Sequence, residues 1–368
     1  MESKTSLVYL TNVPAPYRER MHEILGQDTS ISYSVVYCAQ LEPNRTWKLE
    51  YGNYQKHFLK EKSKTFKHNN LNVWPLLNVL NPDILLITGF NPTMLYGVIW
   101  ALLRGRKLIV SLDGTYESEK DYSIFHKLVR RVIFPFTKAF VGPSNGSAEL
   151  FKSYGVKSRK IFKSTLCIDN SRFKSPEIQS REYDIMFSGQ FIERKMPGFF
   201  VEVANELKKT HPALRILMVG DGRLRQSVLA RMDALKLDYV FTGFLDQQSL
   251  YSCYPKAKLF LFPTLHDPWG IVANEACASG TPVITCSNAG AADDLVIDGV
   301  NGYILPLDVK VWAEQIVKLL SNENLIQQFS DQAVKKVQAY NHFQAAKGIL
   351  DAVSFTLSKN TLTPSHEI

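Results

Sequence analysis

Short apolar runs alternate along this chain with longer segments whose apolar positions recur at helical spacing. SLVYL, ISYSVVYC, DILLIT, KLIVSL, AFVGPS and KIFKSTLCI have strand length and are rich in Val, Ile and aromatic residues. Between them lie helical patterns, including the proline-led TNVPAPYRERMHEIL and a segment over about 145–154. Residues 42–70 are polar, aromatic and lysine-rich and read as a long irregular excursion. The alternation pauses at 169–182, DNSRFKSPEIQSRE, a polar stretch without periodicity that reads as a linker. It then resumes with YDIMFSGQ, a helix over about 197–209, RILMVGDG, a helix over about 224–236, YVFTGF and KLFLFPT. Alternating strands and helices predict a parallel sheet covered on both faces. Two such series predict two doubly wound α/β domains, 1–168 and 183–341, with a cleft between them. A helix over 342–358, placed to pack back on the first domain, and a polar tail, 359–368, complete the chain.

One segment has spanning length and no charge: Ile84 to Leu103, ILLITGFNPTMLYGVIWALL. Gly89, Asn91 and Pro92 interrupt it, so it reads as a buried strand, a turn and a buried helix. No signal peptide is legible at the start, and a cytoplasmic location is expected. The five cysteines form no C-x-x-C pair, which argues against a disulfide framework or a zinc site and suits a reducing compartment. The 368-residue length itself favours two cores. Charge is unevenly shared. Residues 1–182 carry 26 Lys and Arg against 16 Asp and Glu, whereas the rest of the chain is slightly acidic. Such asymmetry suits an anionic partner for the first domain, a nucleic acid or an anionic membrane surface, or simply a solvated basic face. FHKLVRRVIFPFTK, residues 125–138, interleaves cations with apolar and aromatic residues. It reads either as an interfacial helix with a bend at Pro135 or as an ordinary amphipathic core helix.

The densest chemistry lies in HDPWGIVANEACASGTPVI, residues 266–284. LFLFPT before it reads as a buried strand, Gly270 to Ser279 as a helix, and TPVIT as the next strand, making a βαβ unit. Ligands in such sheets sit at the carboxyl ends of the strands, where helix N-termini point. The free amides of Gly270, Ile271 and Val272 are suited to an anion. Glu275 follows Gly270 by about 7.5 Å along the axis. A ligand with phosphate at the helix tip and hydroxyls beside the first turns would meet both, and a nucleotide sugar has that form. The plainer alternative is that Asp267 caps the helix and Glu275 is solvated.

The ordered series YDIMFSGQFIERK, LMVGDG, FTGF, HDPWGIVANEACASGTPVI and NAGAADDLVIDGVNGYILPLD resembles the retaining nucleotide-sugar glycosyltransferases of the GT-B fold, family four, group 1. NPDILLITG, KLIVSLDG, AFVGPSNGSAELFKSYGV and CIDNSRF agree more loosely in the first half. The resemblance implies a donor site in the second domain. Its carboxylate pair falls on Asp267, toward the donor sugar, and Glu275, toward the ribose. Asp267 is one methylene shorter than the Glu usual there. The amides after Gly270 would hold the diphosphate. The phosphate-binding Arg and Lys of the family follow a glycine; here Gly189 is followed by Gln190, Lys195 keeps the expected place, and Arg194 stands in for the displaced Arg. Phe244 falls where nucleobase contacts are made, or is a core aromatic.

In the first domain TNVPAPYRER replaces the family's glycine-rich loop, so a charge contact there must come from a side chain, Arg18. Asp113 stands where many members have a His. It binds a donor hydroxyl, orients the acceptor, or caps the following turn. The resemblance implies transfer of a hexosyl-type sugar to a glycan or lipid-linked acceptor with retention, without a covalent nucleophile. No cofactor and no tightly bound metal is expected; Asp293 and Asp294 are adjacent and read as the first turn of a helix. A role in bacterial cell-surface polysaccharide or glycolipid synthesis follows, in the cytoplasm or on the inner face of the plasma membrane. A nucleotide-sugar epimerase on the same fold, a non-catalytic sugar-binding protein and a nucleic-acid binder are the alternatives; no nucleic-acid partner is expected.

Overall fold

The computed structural model describes residues 4–41, 52–59, 68–120 and 122–358. Most of the excursion after residue 41 and the tail 359–368 lie outside the described residues. The first domain is built on β1 (Thr5–Thr11), β2 (Ile31–Tyr37), β3 (Gln55–Phe58), β4 (Ile84–Ile87), β5 (Lys107–Ser111), β6 (Thr137–Gly142) and β7 (Ile161–Lys163). Their order across the sheet is β3-β2-β1-β4-β5-β6-β7, and every pairing is parallel. The second domain holds β8 (Tyr183–Ser188), β9 (Arg215–Val219), β10 (Asp238–Phe241), β11 (Ala257–Phe262), β12 (Val283–Thr285) and β13 (Gly302–Ile304). Their order is β10-β9-β8-β11-β12-β13, again all parallel.

Strands buried on both faces need continuous apolar runs, and ILLI of β4 is fully buried along its length. The uncharged segment Ile84–Leu103 resolves into β4, a turn and the helix Pro92–Leu103. Asn91 caps that helix by accepting from the Met94 amide, and Pro92 begins it. No helix of the described residues is long and apolar enough to cross a membrane.

Three expectations need correction. The excursion contains β3, an edge strand of sequence QKHF. Three polar residues and one Phe show no apolar alternation, so backbone pairing to β2 makes the strand. Asp293 and Asp294 do not start a helix; they lie in a turn where Asp293 has φ 60° and the Asp293 amide donates to Val296 O. The KIFKSTLCI run is strand only over β7, and its remainder crosses toward the second domain.

The linker is anchored rather than loose. Arg181, buried, donates to the carbonyls of Ala257, Ser279 and Gly280 and to Thr281 Oγ1. It therefore caps the C-terminal end of the helix Ile271–Ala278, where the helix dipole favours a cation. Burial lowers its pKa to about 10. The final helix, His342–Leu357, crosses back to the first domain. Ser164 Oγ donates to Ala345 O, and a Cβ on Gly348 would meet Lys163 O at 1.9 Å, so only glycine permits that approach. Lys163 also pairs with Asp294, and the Asn145 amide donates to the same carboxylate at 2.6 Å.

Candidate active site

In the second sheet the strand order reverses between β8 and β11. Ligands of doubly wound sheets bind at such a switch point, beyond the carboxyl ends of the strands. Both loops that leave this point carry candidate residues. The loop after β8 ends in a 3-10 turn, Glu193–Lys195, followed by Met196 in the left-handed region (φ 51°) and by Pro197 at the start of the next helix. The loop after β11 runs from Pro263 to Gly270. The two loops are stitched together: Thr264 Oγ1 and the Leu265 amide each donate to Arg194 O at 2.9 Å, and Arg194 Nη1 donates to His266 O.

The stitching brings Arg194, Lys195 and Asp267 into contact. Arg194 Nη1 lies 3.2 Å from Asp267 Oδ2, and Lys195 Nζ donates to the same oxygen. The second carboxylate oxygen accepts from the Trp269 amide at 3.2 Å. Burial alone would raise the Asp267 pKa, but Lys195, Arg194 and the Trp269 amide overcome it and hold the group below the ordinary carboxylate range. Asp267 is thus an ionised carboxylate at neutral pH with two cations on it. Lys195 Nζ also stands 5.2 Å from the centre of the Phe262 ring.

Gly270 opens the helix Ile271–Ala278 with φ 98°. A Cβ there would come within 2.4 Å of the Phe262 ring, so position and dihedral both demand glycine. The first-turn amides of Ile271 and Val272 have no acceptor within the helix. Glu275 is buried one turn further on. Its Oε2 accepts from Tyr254 Oη at 2.7 Å. Desolvation raises its pKa to about 7, against the opposing pull of Tyr254 and Lys195. Glu275 is therefore not solvated, and the pKa values of the two carboxylates of the segment are displaced in opposite directions.

Gly189 and the GDG segment 220–222 meet backbone to backbone. A Cβ on Gly220 would lie 1.9 Å from Gly189 O, and the Phe191 amide donates to Asp221 O. Phe244, beyond β10 on the same edge, is 69% exposed, so it is not a core aromatic.

On the first domain the structure joins two candidates taken separately from the sequence. Arg18, in the helix Pro16–Gln27, lies 2.8 Å from Asp113 Oδ1, beyond the end of β5. Arg18 is nearly buried and Asp113 is partly exposed, so the pair presents a carboxylate at the carboxyl edge of the first sheet. Asp113 does not cap the next helix; Thr115 does, within a capping box with Ser118.

Sequence reasoning missed Tyr254, Asn274 and the inter-domain contacts of Asp294. Asn274, fully buried, accepts from Trp269 Nε1 at 2.7 Å and donates to Leu166 O of the first domain at 3.3 Å. Its place one residue before Glu275 was the available signal. Tyr254 and Asp294 act on partners 21 and 149 positions away, which no local pattern displays.

Two all-parallel doubly wound domains with facing carboxyl edges define the GT-B architecture, the fold of a large class of glycosyltransferases. Residues 169–336, a little under half of the chain, match the family described as glycosyl transferases group 1. It is 30% identical over 174 residues to 2-deoxystreptamine N-acetyl-D-glucosaminyltransferase of Niallia circulans, a match covering 46% of this chain and 44% of that one. Over 183 residues it is 28% identical to D-inositol 3-phosphate glycosyltransferase of Nocardia farcinica, covering 47% and 40%. The matches thus span less than half of these curated relatives. Among solved structures, Anabaena HepE in complex with UDP and glucose superposes with a TM-score of 0.74 at 15% identity, over 95% of this chain and 99% of that one. Sucrose-phosphate synthase of Thermosynechococcus elongatus gives 0.74 at 16% identity, over 96% and 100%.

Proposed function

We propose that this protein transfers a hexosyl-type sugar from a nucleotide-diphosphate sugar to an acceptor hydroxyl with retention of configuration. One observation carries the reading: Arg194, Lys195, Asp267, Glu275 and the N-terminus of the Ile271–Ala278 helix converge at the switch point of the second sheet. Two cations and a helix tip suit a diphosphate. Asp267 suits the hydroxyls of the sugar, and Glu275 those of the ribose. That relatives are named for glycosyl transfer, and that Anabaena HepE holds UDP and glucose, supports a nucleotide-sugar donor.

In this reading the bond from the anomeric carbon to the diphosphate breaks as the acceptor oxygen attacks from the same face. The acceptor proton passes to a departing phosphate oxygen. Negative charge grows on the diphosphate, and Lys195 and Arg194 offset it where it grows. On arrival of the donor, the diphosphate competes with Asp267 for these cations and frees the carboxylate for the sugar. Asp113, steadied by Arg18, faces the acceptor side. The acceptor is a glycan or a lipid-linked sugar of bacterial cell-surface synthesis, met in the cytoplasm or at the inner face of the membrane. No tightly bound metal takes part. The test is NMR of the product anomer, with turnover measured with and without EDTA. A retained anomer and unchanged turnover are expected. An inverted product, or activity lost to EDTA and restored by Mn²⁺ or Mg²⁺, overturns the mechanism.

A further inference from the structure

The helix Ile124–Ile133 buries Ile133 and Arg130 but turns a second apolar stripe to solvent. A helix on a water-soluble surface places its apolar stripe against the core. Here Ile124 is 85% exposed and Phe125 66%, and Leu128, Val132 and Phe136 are each more than half exposed. The buried side carries Arg130, paired with Glu119 at 2.8 Å and placed over the rings of Phe90 and Tyr122. At ~100° per residue, positions 124, 128, 131 and 132 fall within about a quarter to a third of the helix circumference. Arg131 therefore shares the outward apolar stripe.

Arg131 also lines a cavity of about 670 Å³ whose other cations are Lys107, Lys138, Lys157, Arg159 and Lys160. No carboxylate lines it among the described residues. Lys107 begins β5, Lys138 lies near the start of β6, and Lys160 directly precedes β7. The cavity thus opens at the amino edge of the first sheet, opposite the edge that carries Arg18 and Asp113. Burial, reinforced by Lys138, Arg159 and Lys157, lowers the pKa of Lys160, as expected of cations crowded without an anion.

We propose that this face docks on an anionic phospholipid bilayer, with the phosphate of a lipid headgroup in the six-cation cavity and the Ile124–Phe136 stripe among the acyl chains. Neither half suffices alone: exposed apolar side chains adjoin a concentrated positive charge, and Arg131 belongs to both. An anionic lipid surface is the partner that matches charge and apolarity together. The surface is separate from the donor site, and the proposal does not rest on the donor-site reading.

The full chain is tested by co-sedimentation with phosphatidylcholine vesicles and with mixed phosphatidylcholine–phosphatidylglycerol vesicles, whose negative surface potential attracts basic segments. Binding to the anionic vesicles only is expected. Each cation near such a surface contributes a factor of about five, so Arg131→Glu with Lys138→Glu is expected to weaken binding by at least about 30-fold. Phe125→Ser with Leu128→Ser, both at exposed positions, is expected to abolish the binding that survives high salt. Equal recovery on both vesicle types overturns the proposal. So does binding of glycerol phosphate without binding of vesicles, which would make the cavity a small-anion site. A dimer in sedimentation velocity that Phe125→Ser with Leu128→Ser dissociates also overturns it, because the stripe would then be a self-association face. UDP-sugar binding in the same preparations reports separately on the donor site.

Discussion

Glu275→Gln separates the stability of the candidate site from its use. Glu275 is buried, and its pKa stands at about 7 instead of about 4.5. As pH rises, the unfolded chain releases this proton first. Between about 4.5 and about 7 the folded state binds more protons, so stability falls with pH, and the loss is complete above about 7. At about 1.4 kcal/mol per pH unit, this gap corresponds to about 3 kcal/mol. Gln keeps the shape and still accepts from Tyr254 Oη, without the buried charge. Glu275→Gln is expected to gain up to about 3 kcal/mol over the wild type at pH 8 and almost nothing at pH 4.5. Urea unfolding followed by tryptophan fluorescence at the two pH values measures this, since Trp269 and Trp312 are buried in the second domain. Nucleotide binding should move oppositely. Ribose hydroxyls donate to the ionised carboxylate, so binding releases a proton, and the wild-type Kd should be about tenfold weaker at pH 6 than at pH 8. Glu275→Gln should bind weakly at both. A stability difference independent of pH, or a wild-type Kd that does not change between pH 6 and 8, would refute the reasoning.

Lys195→Ala should lower kcat about 100-fold or more while the fold persists, and Arg194→Ala should do so only if that guanidinium replaces the Arg displaced by Gln190; steady-state kinetics with circular dichroism as control decide. Gly270→Ala should destabilise the second domain by more than about 1–2 kcal/mol and abolish nucleotide binding, because the added Cβ meets the Phe262 ring at a left-handed φ; thermal unfolding and UDP titration check it, and normal binding would contradict the assignment. Arg181→Ala should cost about 1.5–3 kcal/mol, since it strips the charged hydrogen bonds that cap the C-terminal end of the Ile271–Ala278 helix; a change below about 1 kcal/mol in urea unfolding would show that water replaces it.

Strand runs and helix starts were legible where a single residue decides them. Gly270 needs its special dihedral, Pro92 its first-turn position, and ILLI its two buried faces. The loops that carry the candidate chemistry were legible through the ordered family series. Their geometry was not, because Lys195 and Asp267 meet across 72 positions and Arg18 and Asp113 across 95. The turn at Asp293 was misread because an Asp pair followed by apolar residues resembles a helix start. Asp293 takes a left-handed backbone there, and Asp294 is anchored to Asn145 and Lys163 of the other domain. The orientation of the Ile124–Ile133 helix was equally hidden. Periodicity gives the stripe, and only the buried Arg130–Glu119 pair shows which side turns inward.

The central claim is that the switch point of the second sheet is a donor site for a nucleotide-diphosphate sugar. Its most direct test is a thermal-shift titration of the wild type, Lys195→Ala and Glu275→Ala with UDP-, GDP-, ADP- and dTDP-sugars. One donor should stabilise the wild type by about 2.7 kcal/mol at 100 times its Kd. At the same concentration both variants should show a much smaller shift. No shift with any sugar nucleotide, or an equal shift in all three proteins, would contradict the account.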